Sequence, residues 1–116
     1  MSLAEATRTS GSIDAAAFRL SAGAAGTLSA EGPLSFATAR DACALGIAAL
    51  TAAGGRTLEI DCRGITRSDS AGLAVLLEWL AAARRCGKSL HYTHLPEGLA
   101  ALARISEVQE LLERGV

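Results

Sequence analysis

The sequence predicts a single α/β domain, in which a mixed sheet of four to five strands carries about four helices. The chain has 116 residues, the size of one domain. Stretches of alternating polar and apolar residues lie between stretches with the apolar spacing of helices. This order predicts parallel neighbouring strands joined by helices. Half of the residues are hydrophobic but only 3% are aromatic, so the core should consist mainly of aliphatic side chains.

A hairpin is predicted at the start of the domain. Phe18 and Leu20 alternate with polar neighbours as in a short strand, and residues 27–31 alternate again after a small, glycine-containing turn. Gly32 and Pro33 are then expected to break the second strand.

The apolar spacing changes to that of a helix from Phe36 onward. Gly54 and Gly55 end this first helix. Residues 57–62 follow as a strand, and the polar residues 63–69 are predicted to form a loop. The apolar face of the first helix is predicted to comprise Phe36, Ala39, Cys43, Ile47 and Leu50.

Three more helices and one more strand complete the prediction. A second helix runs from about Ser70 to Cys86, where Gly87 is a stop signal. Residues 89–94 alternate as a strand, Pro96 can start a third helix, and Ser106 can cap a fourth. The predicted core residues of these helices are Leu73, Leu76, Leu77 and Leu80, then Leu99, Leu102 and Ile105, then Val108, Leu111 and Leu112.

Composition excludes several classes of protein. The formal net charge of −1 lacks the basic excess of a nucleic-acid binder. No apolar run reaches the roughly 18 residues that span a bilayer, and residues 1–15 do not resemble a signal peptide. We expect a flexible leader over 1–15, a domain over 16–116, and a cytoplasmic location without direct membrane insertion. The widely spaced cysteines are predicted to be buried free thiols in a reducing compartment: Cys43, Cys62 and Cys86.

The segment 66–73 is the strongest functional candidate, because it joins a strand to a helix N-terminus. Asp69 can cap the helix and place Ser70 on the first turn, with its hydroxyl toward solvent. The free N–H groups there would favour a phosphate on Ser70, whereas Asp69 would repel it. Gly72 would let another surface approach the backbone. The same residues also suit an ordinary helix start, and local chemistry alone leaves both interpretations open.

The helix face opposite the leucines carries few charges, which is typical of a surface that a partner covers. Trp79 lies on its flank and is expected either to be buried under the first helix or to anchor an interface. Helical rotation places on this face Ala71, Ala74, Ala81 and Ala82, with Glu78 and Arg85.

Residues 58–73 resemble the signature of the STAS family, the sulfate-transporter and anti-sigma-factor-antagonist domain: an apolar strand ending in Asp, a loop, then Asp-Ser, a small residue, Gly and Leu. Residues 28–34 are similar to the family's second strand and the loop beside the switch. The resemblance covers roughly residues 16–114 and implies a STAS-like fold. In anti-sigma factor antagonists, the serine that matches Ser70 is phosphorylated, and its phosphate releases an anti-sigma kinase.

The resemblance is closer to the STAS subunits of Mla-type phospholipid-transport ABC complexes, through residues 72–80, 95–99 and 103–108. It implies binding to the cytoplasmic ATPase at the inner face of the inner membrane, in support of outer-membrane lipid asymmetry. Ala71 replaces the second Ser or Thr common in kinase-regulated members. The residues expected to contact the partner or form the switch are Asp69, Ser70, Ala71, Gly72, Ala74, Glu78 and Pro33.

Enzymatic chemistry is not expected. Ser70 lacks the Gly-x-Ser-x-Gly surroundings of a hydrolase nucleophile, and Gly54-Gly55 lacks the spacing and lysine of a phosphate-binding loop. His91 and His94 are three apart on a predicted strand and should point to opposite faces. We therefore predict no catalytic residue, no metal and no cofactor. An anti-sigma kinase remains the alternative partner to the ABC ATPase.

Overall fold

A computed structural model describes residues 17–115, and the predicted leader over 1–15 lies outside them. The described residues form one mixed four-stranded sheet with four helices, which confirms the predicted fold class. No helix of this part of the chain is long and apolar enough to cross a membrane. The elements are β1 (Arg19–Ala22), β2 (Thr27–Leu34), α1 (Ala39–Ala52), β3 (Thr57–Ser68), α2 (Ser70–Arg85), β4 (Ser89–Thr93), α3 (Glu97–Ile105) and α4 (Gln109–Arg114).

The strand order is β1-β2-β3-β4. The predicted hairpin is present, since β1 pairs antiparallel with β2, whereas β2, β3 and β4 are mutually parallel. Parallel strands end at the same edge of a sheet, where the following helices begin. The sheet therefore brings together the starts of α1, α2 and α3.

Strand β3 is longer than predicted, because residues 63–68 continue it instead of forming a loop. Gly64 pairs with Glu31 and Ser68 pairs with Leu34, across register shifts in β2. These shifts interrupt the alternation of side chains that a sequence pattern detects. The extension carries the chain to Asp69 at the edge of the sheet.

The predicted break at Gly32-Pro33 is also wrong, since β2 continues through both residues to Leu34. Gly32 adopts a φ of 94°, in the region that glycine tolerates best. Pairing with β1 ends at Glu31, and the register shift against β3 spans Pro33, so the absent N–H of the proline is tolerated there.

Helix α1 begins at Ala39, so Phe36 precedes it and is 84% exposed instead of buried. The buried residues of α1 are Ala42, Gly46 and Leu50. Leu50 was predicted, whereas Ala42 and Gly46 take the places expected for Cys43 and Ile47, one position away. Trp79 explains the shift: its indole is fully buried, and its Nε1–H donates to the Cys43 carbonyl at 3.3 Å. A Cβ on Gly46 would lie 2.0 Å from Trp79 Nε1. Of the two alternatives for Trp79, burial under α1 is confirmed.

The C-terminal helices differ from the prediction at their junction. Ser106 ends α3 instead of capping α4, which begins at Gln109. Glu107 adopts a φ of 62° and turns the chain, so Ile105 is left 79% exposed while Ala103 is buried. Similarly, β4 stops at Thr93 because the next residue, His94, has a left-handed φ of 55°.

The three cysteines differ in exposure. Cys62 is buried, as predicted, and desolvation raises the pKa of its thiol to about 12. Cys43 is half-buried, whereas Cys86 is exposed because it lies at the C-terminal cap of α2. The prediction of three buried thiols is therefore wrong for Cys86.

Candidate functional site

The carboxylate of Asp69 organises the start of α2. Its Oδ1 accepts hydrogen bonds from the N–H groups of Ala71 at 2.9 Å and Gly72 at 3.1 Å, so the predicted helix cap is confirmed. Its Oδ2 accepts a third bond, at 3.0 Å, from the N–H of Phe36. One side chain thus ties the loop between β2 and α1 to the first turn of α2.

These bonds change the acidity of Asp69. The hydrogen bond from the Phe36 N–H is the main cause that lowers the pKa of the carboxyl below its usual 3.8. Desolvation opposes this in part, and the N–H groups of Gly72 and Ala71 lower the pKa further. Donors directed at a carboxylate favour its ionised form. At neutral pH the cap therefore carries a full negative charge.

The lowered pKa predicts how the Asp69 cap depends on pH. Because the folded-state pKa lies below the unfolded value, the ionised cap stabilises the fold above about pH 4, and this contribution is lost as the pH falls through the folded-state pKa. We expect wild type to be more stable than Asp69→Asn at pH 7, and the difference to shrink below about pH 4.

Urea unfolding of both proteins between pH 3 and pH 7 measures this difference. All other carboxyl groups are common to the two proteins, so their titration largely cancels. A difference in unfolding free energy that stays constant over this range would contradict the assignment of the cap to an ionised Asp69.

The exposed face of α2 forms a narrow stripe beside this cap. Ser70, Ala74 and Glu78 are exposed at successive four-residue steps, and Glu78 pairs with Arg85 at 3.5 Å. Ala71 is half-buried at the edge of the stripe. We call these exposed residues the α2 surface: Ser70, Ala74, Glu78, Ala81 and Arg85.

Ala82 was predicted on this face but is only 3% exposed. It follows Val75 by seven residues and Trp79 by three, so it lies on the side of the helix that both bury. That side faces the interior because α2 packs against both α1 and the sheet. The buried arc of α2 is therefore wider than a leucine stripe alone indicates.

Gly72 and Pro33 shape the site from beneath it, since both are buried. A Cβ on Gly72 would lie 2.1 Å from the carbonyl oxygen of Leu34, so glycine allows α2 to approach the end of β2. The Pro33 carbonyl accepts a hydrogen bond from Thr38 Oγ1 at 2.9 Å. Gly72 therefore sets α2 against the end of β2, and Pro33 holds the turn that precedes α1.

Phe36 was predicted from the apolar spacing to lie on the buried face of α1, but it precedes the helix and is exposed. The signal for its exposure is local: Ser35 and Thr38 enclose it in a turn, in which the Ser35 N–H donates to Thr38 Oγ1 at 3.0 Å. Such a turn is typical of the residues that precede a helix. It places Phe36 outside α1 and beside Asp69.

The two histidines have separate surroundings. His91 Nδ1 lies 3.1 Å from the Arg114 carbonyl oxygen, whereas His94 Nδ1 lies 3.2 Å from Asp61 Oδ1. A hydrogen bond from the Arg63 N–H is the main cause of the lowered pKa of Asp61. Within residues 17–115, no three side chains are grouped so that they could hold a metal ion.

Comparisons with known proteins place this geometry in a family. The model of the family described as "Mlab, STAS domain" matches residues 17–113. No curated protein matches the chain. Among solved structures, the chain is similar in fold to the anti-sigma factor antagonist SpoIIAA in its unphosphorylated form, with a TM-score of 0.55 and 14% identity over 81% of this chain and 82% of that one. The sequence resemblance and the fold therefore agree, and the chain belongs to the MlaB-type STAS domain family.

Proposed function

We propose that this domain is a non-catalytic regulatory subunit that binds the cytoplasmic ATPase of an Mla-type phospholipid-transport ABC complex. In that role it supports the ATPase and, through it, outer-membrane lipid asymmetry. The observation that carries the proposal is the α2 surface, in a domain whose family model is of the MlaB type. Family membership supports an interaction module, and the surface supports a protein as the partner.

The α2 surface suits close packing against another protein. Helix α2 has 16 residues and is about 24 Å long. Two of the exposed positions along it are alanines, Ala74 and Ala81, so a partner can approach the helix backbone closely. The two charged residues of this surface, Glu78 and Arg85, are paired with each other at 3.5 Å, which leaves little unpaired charge for a partner to cover.

Ser70 lies at the N-terminal end of this surface, beside the negative charge of Asp69. Its side chain is exposed on the first turn of α2, directly after Asp69. A second negative group there would be repelled by the Asp69 carboxylate, which already accepts the N–H groups of Ala71 and Gly72, although the positive end of the helix dipole would attract it. The uncharged hydroxyl is therefore expected to be the form that binds.

Replacing Ser70 with Asp tests this proposal. We expect the affinity for the purified ATPase to fall at least about tenfold, or about 1.4 kcal/mol, because a charge is desolvated at the contact. Isothermal titration calorimetry measures the effect. Ser21→Asp is the matched control, since Ser21 is also exposed but lies on β1. Equal affinities of wild type and Ser70→Asp would show that Ser70 lies outside the contact with the ATPase.

The alternative function is that of an anti-sigma factor antagonist controlled by phosphorylation of Ser70. The exposure of Ser70 favours it, because a kinase could reach this hydroxyl. A pull-down from the native cell separates the two functions. Recovery of an anti-sigma kinase without an ABC ATPase would overturn the transport proposal, and genes neighbouring the one for this chain provide an independent test.

A further inference from the structure

We infer that Phe36 is the aromatic anchor of the α2 surface, and that its ring enters an apolar pocket of the protein partner that contacts Ser70 and Ala74. The inference rests on the proposed function and adds a contact residue to that same surface. Phe36 is 84% exposed, more than any other large hydrophobic side chain of the described residues. Covering a phenyl ring is strongly favourable in water, and aromatic residues are enriched among those that dominate binding energy.

The backbone on both sides of Phe36 is fixed. Thr38 Oγ1 accepts a hydrogen bond from the Ser35 N–H at 3.0 Å and donates to the Pro33 carbonyl at 2.9 Å. The Thr38 N–H donates to the Ser35 carbonyl at 3.0 Å, which closes the turn. A ring held on such a turn loses little backbone freedom when it binds, and such pre-organisation favours affinity.

Asp69 joins this turn to the α2 surface. Its Oδ2 holds the Phe36 N–H, while its Oδ1 holds the N–H groups of Ala71 and Gly72. One carboxylate therefore links the backbone of the exposed Phe36 to the turn that carries the exposed Ser70, which places both residues at the same end of α2. Ala74 follows Ser70 one turn along α2 and leaves room for the wall of a partner pocket.

The chemistry of the surface is that of a contact with a protein. An aromatic ring beside a small hydroxyl and an alanine fits a protein surface that has an aliphatic pocket next to a flat, weakly charged patch. The occupant is thus the same partner that covers α2. Asp69 acts as a positioning residue, because it sets the backbone of Phe36 without lying in the pocket itself.

Binding of the 116-residue chain to the purified ATPase subunit of the Mla-type complex from the same organism tests the inference. We expect Phe36→Ala to weaken binding at least about 20-fold. Ile105→Ala is the matched control, because Ile105 is also a large hydrophobic residue and is 79% exposed. It lies at the C-terminal end of α3, whereas the N-terminal end, at Gly98, is the one near Ser68. Its affinity should stay within about twofold of wild type.

Asp69→Asn tests the link between the Asp69 carboxylate and Phe36. Asparagine offers a single acceptor oxygen, which can keep the cap on Ala71 and Gly72 but not the bond to Phe36 as well. We expect faster hydrogen exchange at the Phe36 amide and an affinity between those of wild type and Phe36→Ala.

Four outcomes would overturn the inference. If Ala74→Arg abolishes binding while Phe36→Ala binds like wild type, the proposed function is supported, but Phe36 is not the anchor. If wild type binds neither the ATPase nor an anti-sigma kinase from the same organism, both the proposed function and the role of Phe36 are contradicted. A wild-type dimer in sedimentation that Phe36→Ala dissociates would assign the ring to a second copy of the chain. A fall in melting temperature above about 5 °C for Phe36→Ala would show that the ring packs within its own chain.

Discussion

Replacing Gly72 with alanine is expected to destabilise the domain by about 3 kcal/mol. The added methyl group would lie 2.1 Å from the Leu34 carbonyl oxygen, and a backbone atom of a paired strand cannot move aside as a side chain could. Helix α2 would have to shift away from the end of β2. Urea unfolding followed by far-UV circular dichroism measures the loss of stability.

The control for this prediction is Gly98→Ala, which places the same methyl group on another helix. Its nearest neighbour outside α3 would be Ser68 Oγ at 3.9 Å, an ordinary contact. Alanine also has the higher helix propensity, so the stability of this variant should be unchanged or raised by up to about 1 kcal/mol. If Gly72→Ala is as stable as Gly98→Ala, α2 and β2 are not in the close contact described above.

Replacing Ala74 with arginine is expected to abolish binding to the ATPase while leaving the fold intact. Ala74 is exposed on the α2 surface one turn from Ser70, so the long cationic side chain would hold the partner away from the helix. The affinity should fall at least about 100-fold, or about 2.8 kcal/mol. The unfolding free energy should change by no more than about 0.5 kcal/mol, the usual range for surface substitutions.

Ala48→Arg is the matched control for Ala74→Arg. Ala48 is exposed on α1, and the same substitution there should leave both affinity and stability unchanged. A large loss of stability in Ala74→Arg would show that Ala74 belongs to the core and that the binding surface lies elsewhere. Full retention of binding by Ala74→Arg would show that the partner does not contact the α2 surface.

Helix α2 could be predicted almost to the residue because both of its ends carry local signals. Asp69 caps it through its own side chain, and Gly87, with a φ of 72°, follows its end. Such signals depend on a few consecutive residues, so a single sequence contains them. The position of Ser70 on the first turn follows from the same cap.

The features that sequence reasoning missed depend on distant parts of the chain. Residues 63–68 continue β3 only because β2 runs alongside them, and nothing within those residues alternates. The burial of Ala82 could not be predicted from its own helix, because it depends on both α1 and the sheet packing against α2. Phe36 fitted the apolar spacing of a helix, but spacing alone does not show whether a neighbour is present to cover the ring.

The packing of Trp79 against α1 has a spectroscopic consequence. Trp79 is the only tryptophan of the chain, and its indole is fully buried, 5.9 Å from the ring of Phe18 between centroids. Its fluorescence will therefore be blue-shifted in the native domain and will shift to the red when α1 and α2 separate. Because Phe36, Ser70 and Ala74 are exposed, substitutions at these positions should leave the native emission unchanged. One intrinsic signal can thus compare the stability of every binding variant without a label.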